Sequence, residues 1–351
     1  MNYIIITYGL LLIPFLTGGR DNLSRQIYVL VLLSLFLFSA FRFEVGCDWG
    51  GYYFQYIKSE SQSFDPGNQT RELLWWGILS YLSTNNIPYP FINVISSAIF
   101  FSGIHILARR QLDPLSFLVF LFPVLIVNMP MSAIRQSAAI GFICVALVSF
   151  IDRKPVHFTI WTLIAAGFHA SAMAFLVLMP LSTGKFTRTR LVFAAISALP
   201  GAYLIASGSA ADIAIDRYVE NGRDAAGAAF RVGVLLLSGL LFFLLLRKAW
   251  ARKFPGDFHI AYLFAIAMTL LIAAVPVSSV IGDRLGYYLV PVQAMIFARI
   301  PFLPINNRQT ILVLPYIGLA TMFTVWALMS GHFQRCYIPY QTWLFGFPSG
   351  L

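Results

Sequence analysis

The residues of this sequence that could do chemistry stand out because long apolar runs surround them. Arg135 and Gln136 open one such run, in Met131-Ser132-Ala133-Ile134-Arg135-Gln136-Ser137. A guanidinium stays protonated, and its planar fork makes two charge-assisted hydrogen bonds to a phosphate. Arg231 opens a second run and Arg284 lies in the connection Gly282-Asp283-Arg284, so several arginines gathered at one face could hold a diphosphate. A plainer role is open to each: a snorkelling side chain for Arg135 and Arg231, a local pair with Asp283 for Arg284. His169 is the one histidine in the middle of an apolar segment. A neutral imidazole there could accept a proton, and a satisfied packing histidine is the alternative. Between Arg42 and Glu72 the chain carries Glu44, Asp48 and Glu72 with Tyr52, Tyr53 and Tyr56, interleaved with Gly46, Gly50 and Gly51. Carboxylates can take a proton from a sugar hydroxyl and aromatic faces stack on sugar rings, although a solvated loop can have the same composition.

The elements that must position these groups are apolar helices. Of 351 residues 59% are hydrophobic and 11% charged, more apolar surface than a soluble domain of this length can use. A helix crosses the hydrocarbon core with about 20 residues. Ten candidate spans follow: Asn2 to Thr17, Gln26 to Phe41, Phe91 to Leu107, Leu115 to Asn128, Ala133 to Phe150, Leu191 to Ala206, Phe230 to Leu246, Phe258 to Val280, Leu285 to Ala298 and Thr310 to Met329. Two further segments have a different character. Leu73 to Asn85 is short and carries two tryptophans, which suits the interface, and Phe158 to Leu181 holds Gly167-Phe168-His169 at its middle, which marks a broken re-entrant helix or the wall of a wet cavity. The expected fold is therefore an all-α polytopic membrane protein, a single transmembrane domain over 1–351 with outward loops 42–72 and 207–229.

Orientation follows from charge. If Leu73 to Asn85 lies at the interface and Phe158 to Leu181 dips in and returns, the loops 18–25, 108–114, 151–157, 182–190, 247–257 and 299–309 share one side and every one is net basic. The loops 42–72 and 207–229 on the other side are both net acidic. The positive-inside rule puts the basic loops in the cytoplasm, so both termini face outward, toward the periplasm in a Gram-negative host. That rule also accounts for the net charge of +10 without nucleic acid, since the basic residues sit in short clusters between spans. Three cysteines, Cys47, Cys144 and Cys336, show no metal-ligand spacing. Cys144 suits packing inside a span; Cys47 and Cys336 share the outer side, which leaves a disulfide between them open as a hypothesis. Phosphate loops, serine elbows and zinc motifs are absent from the sequence. No metal or cofactor is expected, and activity should survive a chelator.

The ordered set Gly46-Cys47-Asp48-Trp49-Gly50-Gly51-Tyr52, Arg71-Glu72, Met131 to Ala139 with its Arg135-Gln136 pair, and Gly167-Phe168-His169-Ala170-Ser171-Ala172 resembles the EpsG/Wzy-type polysaccharide polymerases. Gly282-Asp283-Arg284 with Tyr287 and Tyr288, and Tyr337-Ile338-Pro339-Tyr340, are similar to that family's C-terminal half. The resemblance implies joining of oligosaccharide units carried on undecaprenyl diphosphate at the outer face of the bacterial inner membrane, for an O-antigen, capsule or exopolysaccharide. A chain-length regulator would be a candidate partner beside the membrane lipid. On that reading His169 and Asp48 are candidate bases and Arg135 a catalytic cation, while Tyr52, Glu72, Gln136, Arg231, Arg284 and Tyr287 would bind the substrate. A glycan ligase sharing the same donor and a lipid-linked glycan flippase are the competing functions.

Overall fold

The computed structural model describes residues 2–17, 21–61, 72–183, 187–190, 192–194, 196 and 227–347. The greater part of the expected span Leu191 to Ala206 and of the loop 207–229, together with Arg71, lies outside these residues. Every regular element described is a helix, and one isolated β-bridge joins Arg42 to Thr342. Among the described residues six helices are long and apolar enough to cross a membrane: Asn22–Ala40, Phe91–Ala108, Ile134–Ile151, Ala228–Lys253, Ser279–Phe302 and Arg308–Met329. Shorter apolar helices, including Tyr3–Thr17, Pro114–Ile126 and Phe258–Ala274, accompany them. The protein is a multi-pass, all-α membrane protein. Its contacts divide into two compact units, one of Met1–Cys144, Ile164–Ala170 and Leu314–Leu351, the other of Val145–Leu163 and Ser171–Val313.

In the first unit, α1 (Asn2–Thr17) and α2 (Asp21–Ala40) lead to α3 (Trp49–Ser61), α4 (Leu73–Thr84), α5 (Phe91–Ala108) and α6 (Pro114–Leu121). The helix α2 packs on α5 and α6, and α3 packs on α4. The segment 42–72, expected as a loop, thus contains a helix of 13 residues. Its cause is visible in the spacing of Trp49, Tyr52, Tyr53 and Tyr56, which places four aromatic rings on one helical face. Trp49 and Tyr52 are buried with Trp75, Leu79, Leu82 and Tyr89 in an aromatic cluster, and such rings contribute the largest apolar areas a side chain can bury. The helix α7 (Ile134–Ile151) crosses α5 where Gly103 meets Gly141. A Cβ on Gly103 would overlap the Gly141 carbonyl, so backbone contact between small residues sets the position of α7.

The helix α8 (Pro155–Phe168) ends at His169, and a 3-10 helix follows over Ala170–Leu181. The break expected at the middle of Phe158 to Leu181 is therefore present. Each half is shorter than a full span, and α4, with 12 residues, reaches only about 18 Å at 1.5 Å per residue.

In the second unit, α9 (Ala228–Leu241) packs against α11 (Phe258–Leu270) and α12 (Ser279–Arg299). A π-helical turn at Phe242–Leu246 carries α9 into α10 (Arg247–Lys253). Gln293 on α12 donates to Ser238 Oγ on α9 at 2.7 Å. Below them Arg299 pairs with Asp257, whose carboxylate also accepts from Trp250 Nε1 at 3.1 Å. One sequence expectation is corrected here: Gly282-Asp283-Arg284 is not a connection between spans but part of the first turns of α12. Ser278 caps that helix, its hydroxyl accepting from the Ile281 N–H at 3.4 Å, and this starts the helix six residues before the apolar run at Leu285. The chain closes with α13 (Arg308–Met329) and α14 (Gly331–Tyr337).

Candidate functional site

The site in the first unit is assembled around the entry to α7. Residues 129–133 turn tightly, with Ser132 N–H donating to the Met129 carbonyl at 3.2 Å and Ala133 N–H to the Asn128 carbonyl at 3.2 Å. This turn delivers Arg135 in the first turn of α7, with Gln136 buried beside it. Arg135 reaches the carboxylate of Glu72, its Nη1 donating to Oε2 at 2.5 Å. Glu72 precedes α4 in the left-handed region, at φ 64° and ψ 46°, a conformation that costs a non-glycine residue about 1–2 kcal/mol. Its other oxygen, Oε1, accepts the backbone N–H of Ala170 at 3.2 Å.

Ala170 is the residue after His169. One carboxylate therefore fixes Arg135 and the helix break at the same point. The His169 N–H completes α8 by donating to the Ala165 carbonyl at 3.0 Å, and its ring is buried. Two packings hold that end of α8 in place: Gly167 faces Leu74 of α4, and Phe168 stacks on Phe142 of α7 at 5.4 Å. The structure thus brings His169, Glu72 and Arg135 together from segments far apart in sequence.

Asp48 and Tyr52 enter from the opposite side of the same turn. Gly46, at φ 100°, lies so close to Met131 that a Cβ would overlap its carbonyl oxygen. Only glycine fits both the conformation and the approach. Two residues on, Asp48 Oδ2 accepts from Ser132 Oγ at 3.5 Å, and the Asp48 carbonyl accepts the Tyr52 N–H at 3.0 Å in the first turn of α3. The Tyr52 ring lies 5.6 Å from the Arg135 guanidinium and edge-on to Trp75 at 5.2 Å. Burial, reinforced by Asp48, pushes the Tyr52 hydroxyl up to about 12. The phenol therefore remains a hydrogen-bond donor at neutral pH, with Arg135 above its ring.

Cys47, the neighbour of Asp48, forms a disulfide with Cys336 of α14, and Gly46 N–H donates to the Cys336 carbonyl at 2.7 Å. The pairing left open by the sequence is formed, and it fastens the Asp48 loop to the C-terminal helix. His332 lies 2.9 Å from Cys47 Sγ. Among the described residues Cys47, His332 and Cys336 are the one cluster with metal-ligand atoms close together, and the disulfide commits both sulfurs to each other.

The remaining predicted residues belong to the second unit. Arg231 on α9 makes a two-pronged pair with Asp283, Nε to Oδ1 at 2.7 Å and Nη2 to Oδ2 at 2.8 Å, and its guanidinium lies 5.6 Å from the Tyr287 ring. Asp283 is therefore the partner of Arg231, a long-range pair that the sequence did not suggest. The two carboxylate oxygens match the fork of the arginine, which an adjacent residue on a helix could not do. Tyr288, next to Tyr287, accepts from Ser171 Oγ at 3.1 Å.

Two features of the site escaped the sequence reading. Ser132 pairs with Asp48, and Arg42, read only as the edge of a loop, is fully buried. A lone arginine at a span end carries no sequence signal that separates burial from snorkelling.

Comparison with curated proteins and with solved structures gives no match. The EpsG family matches residues 26–342, which include most of α2, all of α3 through α14 and every predicted site residue. By this match the chain belongs to the EpsG family, a glycosyltransferase-like family of polysaccharide polymerases.

Proposed function

We propose that the protein joins oligosaccharide repeat units carried on a lipid diphosphate, in bacteria undecaprenyl diphosphate, at the outer face of the inner membrane. The observation that supports this reading best is the double engagement of Glu72, which holds a guanidinium and the His169 turn at one point. A transfer from a lipid diphosphate needs a base for the acceptor hydroxyl and a cation for the departing diphosphate, placed within one substrate's reach.

The reaction proceeds by attack of an acceptor sugar hydroxyl on the anomeric carbon of the lipid-linked chain. The bond from that carbon to the diphosphate oxygen breaks as the new glycosidic bond forms. The hydroxyl proton passes to His169 or to Asp48, and the diphosphate leaves with its charge balanced by Arg135. Both oxygens of Glu72 are already occupied, so Glu72 acts as a positioning residue. Tyr52 and its aromatic neighbours offer faces for sugar rings. The donor is already activated, so the step consumes no nucleotide sugar. Arg231 would contribute to phosphate binding only by exchanging its Asp283 partner.

Deletion of the gene followed by gel display of surface glycan tests the function. Single repeat units without a ladder are expected. Full-length glycan accumulating on the lipid carrier would instead identify a ligase, and an unchanged ladder would reject the proposal.

A further inference from the structure

Arg42 is a second guanidinium in the same unit, and the catalytic account above does not use it. It follows α2 and is wholly buried. Its Nε donates to the Met131 carbonyl at 2.9 Å, on the turn that delivers Ser132 and Arg135. Both terminal nitrogens, Nη1 and Nη2, are buried and have no hydrogen-bond partner among the described residues. Four N–H donors of a charged group are thus held in a fixed direction with no acceptor. Leaving even one charged donor unsatisfied in a buried site is costly, and among the described residues no carboxylate is paired with this arginine.

The surroundings are aromatic hydroxyls. Tyr52, Tyr89, Tyr337 and Tyr340 are its electrostatic neighbours. Tyr52 is shared with Arg135, whose guanidinium lies 5.6 Å from the ring, so two arginines adjoin one phenol. The cover is the end of the chain. Phe43 N–H donates to the Gln341 carbonyl and Trp343 N–H to the Phe41 carbonyl, both at 2.9 Å, and the Tyr340 hydroxyl reaches the Phe38 carbonyl at 2.9 Å. These bonds flank Arg42, and lifting the segment would also withdraw Tyr340 from its stack on Phe38 and Trp343 from the ring of Phe91, at the ends of α2 and α5.

We propose that Arg42 is an anion-binding residue whose free Nη1 and Nη2 take phosphate oxygens of a diphosphate once the 340–343 segment lifts. The proposal rests on the transfer reaction proposed above and adds to it a phosphate contact from α2. A planar fork anchored through Nε and open at both Nη atoms matches a phosphate in a way that a lysine ammonium cannot. The unsatisfied charge is then a local cost in the empty site that the ligand removes.

The test uses the purified full chain in detergent with inorganic pyrophosphate as probe, read by the shift in unfolding temperature and by titration. Wild type should be stabilised, and Arg42→Met should bind pyrophosphate roughly 10- to 100-fold more weakly. Arg42→Met should also unfold at the same or a higher temperature, because an apolar side chain of similar volume replaces a buried charge with no counter-ion among the described residues, a gain that offsets the lost bond to the Met131 carbonyl. Arg42→Lys, which keeps the charge and loses the fork, should fall between the two in affinity. A purely structural arginine gives the opposite pattern, a lowered unfolding temperature with no change in pyrophosphate response, and that result overturns the proposal. Absence of any pyrophosphate response in wild type overturns it as well. Failure of the transfer reading is a separate outcome: pyrophosphate binding that depends on Arg42 in a protein whose deletion leaves the glycan ladder intact.

Discussion

Replacement of Glu72 separates the positioning role of this carboxylate from its contribution to stability. The side chains of Arg135 and Glu72 are 26% and 12% exposed, between the fully solvated pairs that contribute about 0.2–1 kcal/mol and the buried pairs whose disruption costs about 3–5 kcal/mol. Loss of the pair alone should therefore cost about 2 kcal/mol. The bond to the Ala170 N–H adds about 1 kcal/mol, so Glu72→Ala should destabilise by about 3 kcal/mol. Glu72→Gln keeps one accepting oxygen and puts an NH2 group in place of the other, so it loses the charge and one of the two hydrogen bonds, a cost of about 2 kcal/mol. Glu72→Gly removes the same bonds as alanine, but it suits the left-handed backbone and should recover about 1 kcal/mol of stability relative to Glu72→Ala. The common anchor of Arg135 and the His169 turn is weakened in Glu72→Gln and removed in the other two, so glycan ladders at matched membrane protein levels should shorten least for Gln, and further and equally for Gly and Ala. The assay pairs thermal unfolding in detergent with gel display of the glycan. A Glu72→Ala protein with wild-type unfolding temperature and a full ladder would refute the reasoning, as would Glu72→Gly restoring the ladder along with the stability.

Other consequences are equally specific. Alkylation of the folded protein should leave Cys47 and Cys336 unlabelled until reductant is added, with Cys144 labelled only after unfolding; labelling of two thiols without reductant would contradict the disulfide. Gly46→Ala combines a positive φ with a clash against Met131, and it should cost at least about 1–3 kcal/mol and abolish the ladder by displacing Asp48. Arg231→Ala leaves the Asp283 carboxylate without its two donors and should cost about 2–4 kcal/mol, whereas the double change Arg231→Ala with Asp283→Ala should cost less; equal losses in a thermal double-mutant cycle would argue against the pair.

The sequence made the apolar helices legible where composition alone decides. Asn2 to Thr17 matches α1, and Phe91 to Leu107 matches α5 within one residue. The break at His169 was legible because a polar group at that depth cannot continue an ordinary span. The helix α3 carried a readable signal in the spacing of Trp49, Tyr52, Tyr53 and Tyr56, which Gly50, Gly51 and the nearby acids obscured. The partnerships were not readable. Asp283 lies beside Arg284 in sequence and binds Arg231, 52 residues away. Glu72 lies 63 residues from Arg135 and 98 from Ala170. Arg42 is buried by a segment 300 residues downstream. Such pairings are set by which helices pack together, a tertiary property that no local pattern encodes.

The most direct test of glycan transfer is reconstitution. Purified protein in a bilayer, supplied only with a repeat unit carried on undecaprenyl diphosphate, should yield chains of several units and release one lipid diphosphate per bond formed, as read by mass spectrometry. Arg135→Ala and His169→Ala proteins that fold as wild type should yield neither. Chain growth at the wild-type rate in both variants, or no chain growth by the wild type under conditions where it remains folded, would contradict the account.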